Sequence, residues 1–254
     1  MTTGVCLTVD VEDWYAGMSA LGQATTRPPG ARSGLSGLAA RLRAAGDGAS
    51  VTLFVVGNYA ASVRAELADL MAAGHEIASH GPDHGRLPED PAALVDWLRR
   101  GRAMTEDLVQ APVRGFRSPR FDVPAALGLA GFRDLLAEAG FDYVSDTGRL
   151  GGRSPVRELP VLTRYRIPIG GGSYQRLLPG AVVSAAVDSA AADPAEGPAV
   201  LYYHSYDFGA TLPSTGSIRS LAVAKQLVGR GRVAGMFSRV LSRYGSQACG
   251  HVEW

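Results

Sequence analysis

The sequence predicts a parallel α/β fold in one domain, and three observations carry that reading. Short apolar runs alternate along the chain with segments of helical periodicity, as in repeated βαβ units. Polar side chains fall immediately after several of these runs, at the ends where the loops of a parallel barrel gather. The 254 residues fit a single barrel, and no linker-like stretch divides them.

Residues 4–9 form a near-continuous apolar run, expected as a buried strand. Residues 35–45 read as a helix, with Leu35, Leu38 and Leu42 on one stripe and Gly46 at its end. Residues 51–56 are the second strand, and residues 60–73 a helix with Val63, Leu67, Leu70 and Met71 inward and Gly74 as its stop. The third strand ends at His80. Asp90 caps, and Pro91 begins, a helix reaching about residue 109. Residues 113–116 are a short strand that ends in Arg117-Ser118-Pro119-Arg120. Residues 132–139 are helical, stopped by Gly140, and residues 141–144 form the next strand.

The second half is less regular. Gly152, Pro155, Pro160, Pro168 and Gly170-Gly171-Gly172 mark hairpins or long loops. Residues 199–203 are a strong strand ending at His204, and residues 218–244 read as one or two helices broken near Gly229 or Gly231. The domain is expected over residues 1–245, with residues 246–254 as a loose tail.

Composition narrows the function classes. Hydrophobic residues make up 46% and charged residues 19%, and a net charge of +1 argues against a nucleic-acid footprint. The single lysine, Lys225, among many arginines points to genome base composition rather than to a partner. Cys6 and Cys249 lie at opposite ends and match no zinc or redox spacing. No run has the length and apolarity of a membrane span, and no basic segment precedes the first strand, so the expected location is the cytoplasm.

The chemistry-bearing residues sit at strand ends. His80 and His84 are spaced as two zinc ligands, and Asp10, Glu12 and Asp13 offer the carboxylate that would complete a site. Spacing alone would also fit two surface histidines. However, Gly81-Pro82-Asp83 rules out a regular helix between them, and Asp10, Glu12, His80, Arg117 and His204 all fall where one barrel mouth would collect them. Strand alternation puts Asp10 and Glu12 on one face. His75 reads as a surface histidine and His251 lies in the tail, so neither is a candidate. Trp14, Tyr15, Tyr174 and Arg176 could stack on or hydrogen-bond a sugar, although core packing fits Trp14 nearly as well.

Several stretches together resemble one family. They are Leu7-Thr8-Val9-Asp10-Val11-Glu12-Asp13-Trp14-Tyr15, Thr52-Leu53-Phe54-Val55-Val56-Gly57, Ala73-Gly74-His75-Glu76-Ile77-Ala78-Ser79-His80-Gly81-Pro82-Asp83-His84, and Gly115-Phe116-Arg117-Ser118-Pro119. Ala139 to Tyr143, the loop from Gly171 to Pro179, and Leu201-Tyr202-Tyr203-His204 follow in the same order. The chain resembles the polysaccharide deacetylases of carbohydrate esterase family 4, with the NodB homology domain, and is most similar to the branch associated with exopolysaccharide gene clusters.

The resemblance implies a distorted (β/α) barrel of a single domain and hydrolysis of an N-acetyl group from an amino sugar, free or carrier-linked, with Zn2+ (or Co2+ or Ni2+) as cofactor. It further implies Asp10 as general base, Arg117 as its partner, and His204 as the acid that protonates the departing nitrogen. Glu12, His80 and His84 would bind the metal, with Asp13 as rival ligand, and a backbone N–H near Arg120 could assist the oxyanion. Leu201 would line the pocket for the acetyl methyl.

The sequence departs from the pattern at Val144-Ser145-Asp146-Thr147, where Asp146 would orient Arg117 or a neighbour, and at Ser205-Tyr206-Asp207, which replaces Pro-Trp-Glu. The partner expected is a small-molecule or oligosaccharide amino sugar, with no nucleic acid. The rivals are an amidohydrolase acting on a cyclic ureide or imide, and a non-catalytic glycan-binding protein.

Overall fold

The computed structural model describes residues 4–23, 33–46, 48–148, 153–164, 167–192, 197–209 and 221–253. Seven strands lie in the order β6-β5-β4-β3-β2-β1-β7, every neighbouring pair parallel. They are β1 (Val5–Val11), β2 (Thr52–Val55), β3 (Glu76–Ser79), β4 (Gly115–Phe116), β5 (Tyr143–Val144), β6 (Arg157–Glu158) and β7 (Ala199–His204). Beyond β6 the chain reaches the opposite edge. Val161 donates its N–H to Asp146 beside β5, Leu162 donates to Val200 of β7 at 2.9 Å, and Val161 bridges Val200 in parallel. The sheet thereby meets itself as a distorted (β/α) barrel.

The helices are α1 (Trp14–Ala20), α2 (Leu35–Ala44), α3 (Gly57–Ala60), α4 (Arg64–Ala72), α5 (Pro91–Val109), α6 (Gly128–Glu138), α7 (Gly172–Leu177), α8 (Gly180–Ala191), α9 (Leu221–Leu227) and α10 (Arg230–Tyr244). The Asp90 cap and the Pro91 start of α5 form as expected, with Asp90 accepting from the Ala93 N–H at 2.8 Å. Gly229, in left-handed conformation, separates α9 from α10. The expected helix start at residues 218–220, Gly152 and Trp254 lie outside the described residues.

Alternation along β1 sorts its side chains into two layers. Val5, Leu7, Val9 and Val11 join the core between strands and helices, whereas Cys6 belongs to an inner cluster with Phe54, Ala78, Tyr143, Val200 and Cys249. Thr8, Asp10 and Glu12 share the parity of Cys6 and therefore face inward. Along β7 the same rule turns Val200, Tyr202 and His204 inward and puts Leu201 and Tyr203 in the outer layer.

Two expectations are corrected. Residues 246–253 are not a loose tail: they close the barrel end opposite the strand carboxyl ends. The Cys249 N–H donates to Thr52 Oγ1 at 2.8 Å, the Gly250 N–H to Glu76 Oε2 at 2.9 Å, and Cys249 and Val252 are buried in the inner cluster, where Cys249 lies with Cys6. After Gly171, in the half where hairpins or long loops are expected, the chain forms the two helices α7 and α8. The inward stripe of α8 is Val183, Ala186, Val187 and Ala190, an apolar face made half of alanine, which gives little contrast for a periodicity reading.

The loop that carries His84 is held by close backbone packing. Gly57 and Asn58, opening α3, donate to the carbonyls of Gly81 and Pro82 at 2.9 and 2.8 Å. Gly101 on α5 allows the approach from the other side, since a Cβ there would lie 2.7 Å from the backbone of Gly81 and Pro82. Gly81 itself has φ +79°, which favours glycine.

Candidate active site

A cavity of about 290 Å3 opens at the strand carboxyl ends, and Asp10, Glu12, His80, His84 and His204 all line it. Glu12, His80 and His84 offer ligand atoms that all lie within 4.8 Å of one another. The His84 Nε2 is 2.6 Å from Glu12 Oε2. His80 Nδ1 is 2.8 Å from the Arg117 carbonyl, so the ring donates there and turns the Nε2 lone pair toward the cavity. That arrangement, one imidazole nitrogen fixed on a backbone carbonyl and the other free to ligate, is the usual support of a metal-binding histidine. Asp13, the rival carboxylate, instead caps α1 by accepting from the Tyr15 N–H at 3.1 Å.

Burial and neighbouring charge set the protonation of this group. Burial alone would raise the Glu12 carboxyl, but His84, His204 and His80 hold it down to about 2, so it stays ionised. Burial drives His80 below its ordinary range, keeping it neutral as a ligand must be. Burial would also lower His84, and the Glu12 carboxylate against it raises it instead.

Asp10 stands beside this group. Its Oδ1 accepts from Arg117 Nη1 at 2.7 Å, and its Oδ2 lies 4.0 Å from His80 Nε2. Arg117 is sealed at 0% exposure. Its Nε donates to the Ser145 carbonyl at 3.1 Å, its Nη2 donates to Ser145 Oγ at 2.7 Å, and its guanidinium lies 4.2 Å from the centroid of the Phe54 ring. Ser145, not Asp146, therefore orients Arg117. Asp146 pairs with Arg133 at 2.8 Å, and burial raises its carboxyl against that partner. Sequence reading missed Ser145 because a serine beside an acidic residue carries little signal.

His204 approaches from β7, with Nε2 3.8 Å from Glu12 Oε1 and its ring stacked on Tyr206 at 4.8 Å and 8°. Trp14 forms part of the cavity wall at 3% exposure, edge-on to Tyr206. Four further expectations change. Leu201, at 0% exposure, packs in the outer core, and Tyr202 takes the inward position at the cavity. Arg176, at 1% exposure, does not reach the cavity but pairs with Asp207 at 3.5 Å. Tyr174 is exposed and stands outside the cavity lining. His75, read as a surface residue, is buried, and that burial lowers its pKa.

A family model described as a domain of unknown function, DUF3473, matches residues 105–252, more than half of the chain. The chain belongs to the DUF3473 family. A model for polysaccharide deacetylase matches residues 45–144, the part of this DUF3473 protein that carries His80, His84 and Arg117. Solved structures described as polysaccharide deacetylases share the fold.

A protein from Mycobacterium smegmatis described as a polysaccharide deacetylase is 22% identical, with a TM-score of 0.62 over 95% of this chain and 86% of its own. The allantoinase Puue is 17% identical, with a TM-score of 0.57 over 96% of this chain and 85% of its own. A CE4 family pseudoenzyme from Bacillus anthracis is 11% identical, with a TM-score of 0.55 over 98% of this chain, which spans only 64% of that protein's length. At these identities the likeness is one of fold. No curated protein matches. No helix among the described residues is long and apolar enough to cross a membrane.

Proposed function

We propose that this DUF3473 protein is a divalent-metal-dependent deacetylase that hydrolyses the N-acetyl group of an amino sugar and releases acetate. Zinc is the metal the donor set favours, and the exopolysaccharide-associated branch is the closest functional context. One observation carries the reading: Asp10, held from behind by Arg117, lines one cavity together with the Glu12–His80–His84 group and His204. A conserved fold without chemistry, as in a pseudoenzyme or glycan-binding protein, has no need of all three together.

A divalent cation held by Glu12, His80 and His84 would supply Lewis acidity toward the acyl oxygen and toward water. The residues of the chain do the rest. Asp10, held by Arg117 Nη1 at 2.7 Å, takes the proton from the attacking water. The Arg120 N–H, in a backbone turn with φ 57° at the cavity mouth, is a donor for the developing oxyanion. His204 gives a proton to the departing nitrogen, because an amide anion is too poor a leaving group to depart unprotonated. The C–N bond breaks, and the products are acetate and the amine. Trp14 offers an aromatic face to the sugar ring.

Acetate release from a panel of N-acetylhexosamine conjugates, assayed with zinc-loaded protein, tests the proposal. Turnover of at least one conjugate is expected. Inactivity on all of them, with hydrolysis of a cyclic ureide or imide, would overturn it in favour of an amidohydrolase role.

A further inference from the structure

Helix α9 enters the wall of the active-site cavity through one side chain. Its Val223 packs with Trp14, Met18 and Tyr206, and Leu227 lies against the same cluster. Among the described residues of α9, Gln226 alone lines the cavity, beside Trp14 and Tyr206. The proposed reaction gives this glutamine no task.

Buried charge holds α9 in place. Arg176, on α7 and 1% exposed, donates from Nη1 to the Gln226 carbonyl at 2.6 Å, and the same nitrogen reaches Gln226 Oε1 at 3.4 Å. Arg230, the first residue of α10 and 2% exposed, donates from Nη2 to the Tyr206 carbonyl at 2.9 Å. Asp207 Oδ1 lies 3.5 Å from both Arg176 Nη2 and Arg230 Nε and so ties the two guanidinium groups together. Gly229, between α9 and α10, has φ +73°, and a Cβ there would lie 2.5 Å from the Arg176 carbonyl, so this junction packs directly on α7. Two arginines sealed around one carboxylate are costly to bury, and packing alone would be served as well by apolar residues. What the cluster secures is the place of α9, and with it the place of Gln226.

The same contact orients the Gln226 side chain. A guanidinium donates and cannot accept, so the amide oxygen is the end that meets Arg176, and the Nε2 amino group is the end left for a ligand. That group has no acceptor among the described residues. An amide held this way offers donors only, next to the Trp14 ring, and a sugar oxygen is a matching acceptor.

We propose that Gln226, held by Arg176, is a substrate-binding residue that donates from Nε2 to one hydroxyl oxygen of the bound sugar, and that the cavity selects sugars carrying an oxygen at that position. The ligand's identity as an amino sugar rests on the deacetylase reading; the donor role of Gln226 toward a sugar does not.

The affinities of zinc-loaded protein for methyl glucosaminide and methyl galactosaminide, and for the monodeoxy analogues of whichever binds more tightly, test the contact by NMR titration without turnover. Wild-type protein is expected to bind one monodeoxy analogue about 10-fold more weakly than its parent, the size of one neutral hydrogen bond. Gln226→Glu keeps an oxygen against Arg176 but has no N–H to give. It is expected to weaken the parent sugar by the same factor and to bind that one analogue as the wild type does, and Gln226→Met is expected to behave alike. Equal losses on the parent and on every analogue would mark Gln226 as merely structural and overturn the proposal. A wild type that binds neither sugar, or that binds every monodeoxy analogue as well as the parent, would overturn it even if no variant folds. Acetate release separates this result from the deacetylase reading. Wild-type protein that shows the binding pattern but releases no acetate from any N-acetylhexosamine conjugate would keep Gln226 as a sugar-binding donor and count against the deacetylase. Acetate release without a weakened analogue would do the reverse.

Discussion

Asp10→Asn is expected to lower turnover by roughly 10^2- to 10^4-fold, the range that a positioned general base contributes. The substitution keeps the shape of the side chain but removes its ability to take a proton. The metal-ligand group of Glu12, His80 and His84 is left in place, so metal content should not change. Asparagine also leaves the Arg117 guanidinium, at 0% exposure, without its anionic partner, so stability falls along with activity. Assays well below the unfolding temperature separate the two effects. A glycan-binding protein on the same fold would behave differently: its sugar affinity would survive, and there would be no turnover to lose.

Arg117→Met should give the largest loss of stability among the site residues. It removes the 2.7 Å contact to Asp10 and both contacts to Ser145, and it leaves the Asp10 carboxylate buried at 4% exposure with no cation against it. Breaking a buried pair from one side costs about 3–5 kcal/mol. For a chain of this size that corresponds to a fall in Tm of roughly 6–20 °C, read by calorimetry. The double substitution Asp10→Asn with Arg117→Met should be less destabilised than the sum of the two, because neither charge is then stranded. A fall in Tm below about 2 °C for the single variant would contradict this account of the pair.

The parallel fold was legible because five strand-and-helix units repeat with clean punctuation before residue 145, and the site because its polar residues follow apolar runs. Parity along a strand was the decisive rule: it put Asp10 and Glu12 on one inward face. Applied to β7, the same rule contradicts Leu201, which lies at odd separation from His204 and so faces the helices; Tyr202 holds the even position. Other features left no local trace. The plug formed by residues 246–253 depends on Thr52 and Glu76, almost two hundred residues earlier, and its small polar sequence reads as a tail. Asp207, Arg176 and Arg230 come from a turn and two helices, so only the closed fold brings them together behind His204. Arg176 shows the general hazard: an arginine in a glycine-rich loop pattern suits a ligand as well as it suits an internal salt bridge.

Zinc titration by calorimetry of wild-type, Glu12→Gln and Asp13→Asn protein tests the central claim most directly. The account predicts one zinc per chain in the wild type, an affinity loss greater than about 100-fold in Glu12→Gln, and no change in Asp13→Asn, whose side chain caps α1. An absence of zinc binding in the wild type, or a loss that follows Asp13 rather than Glu12, would contradict it.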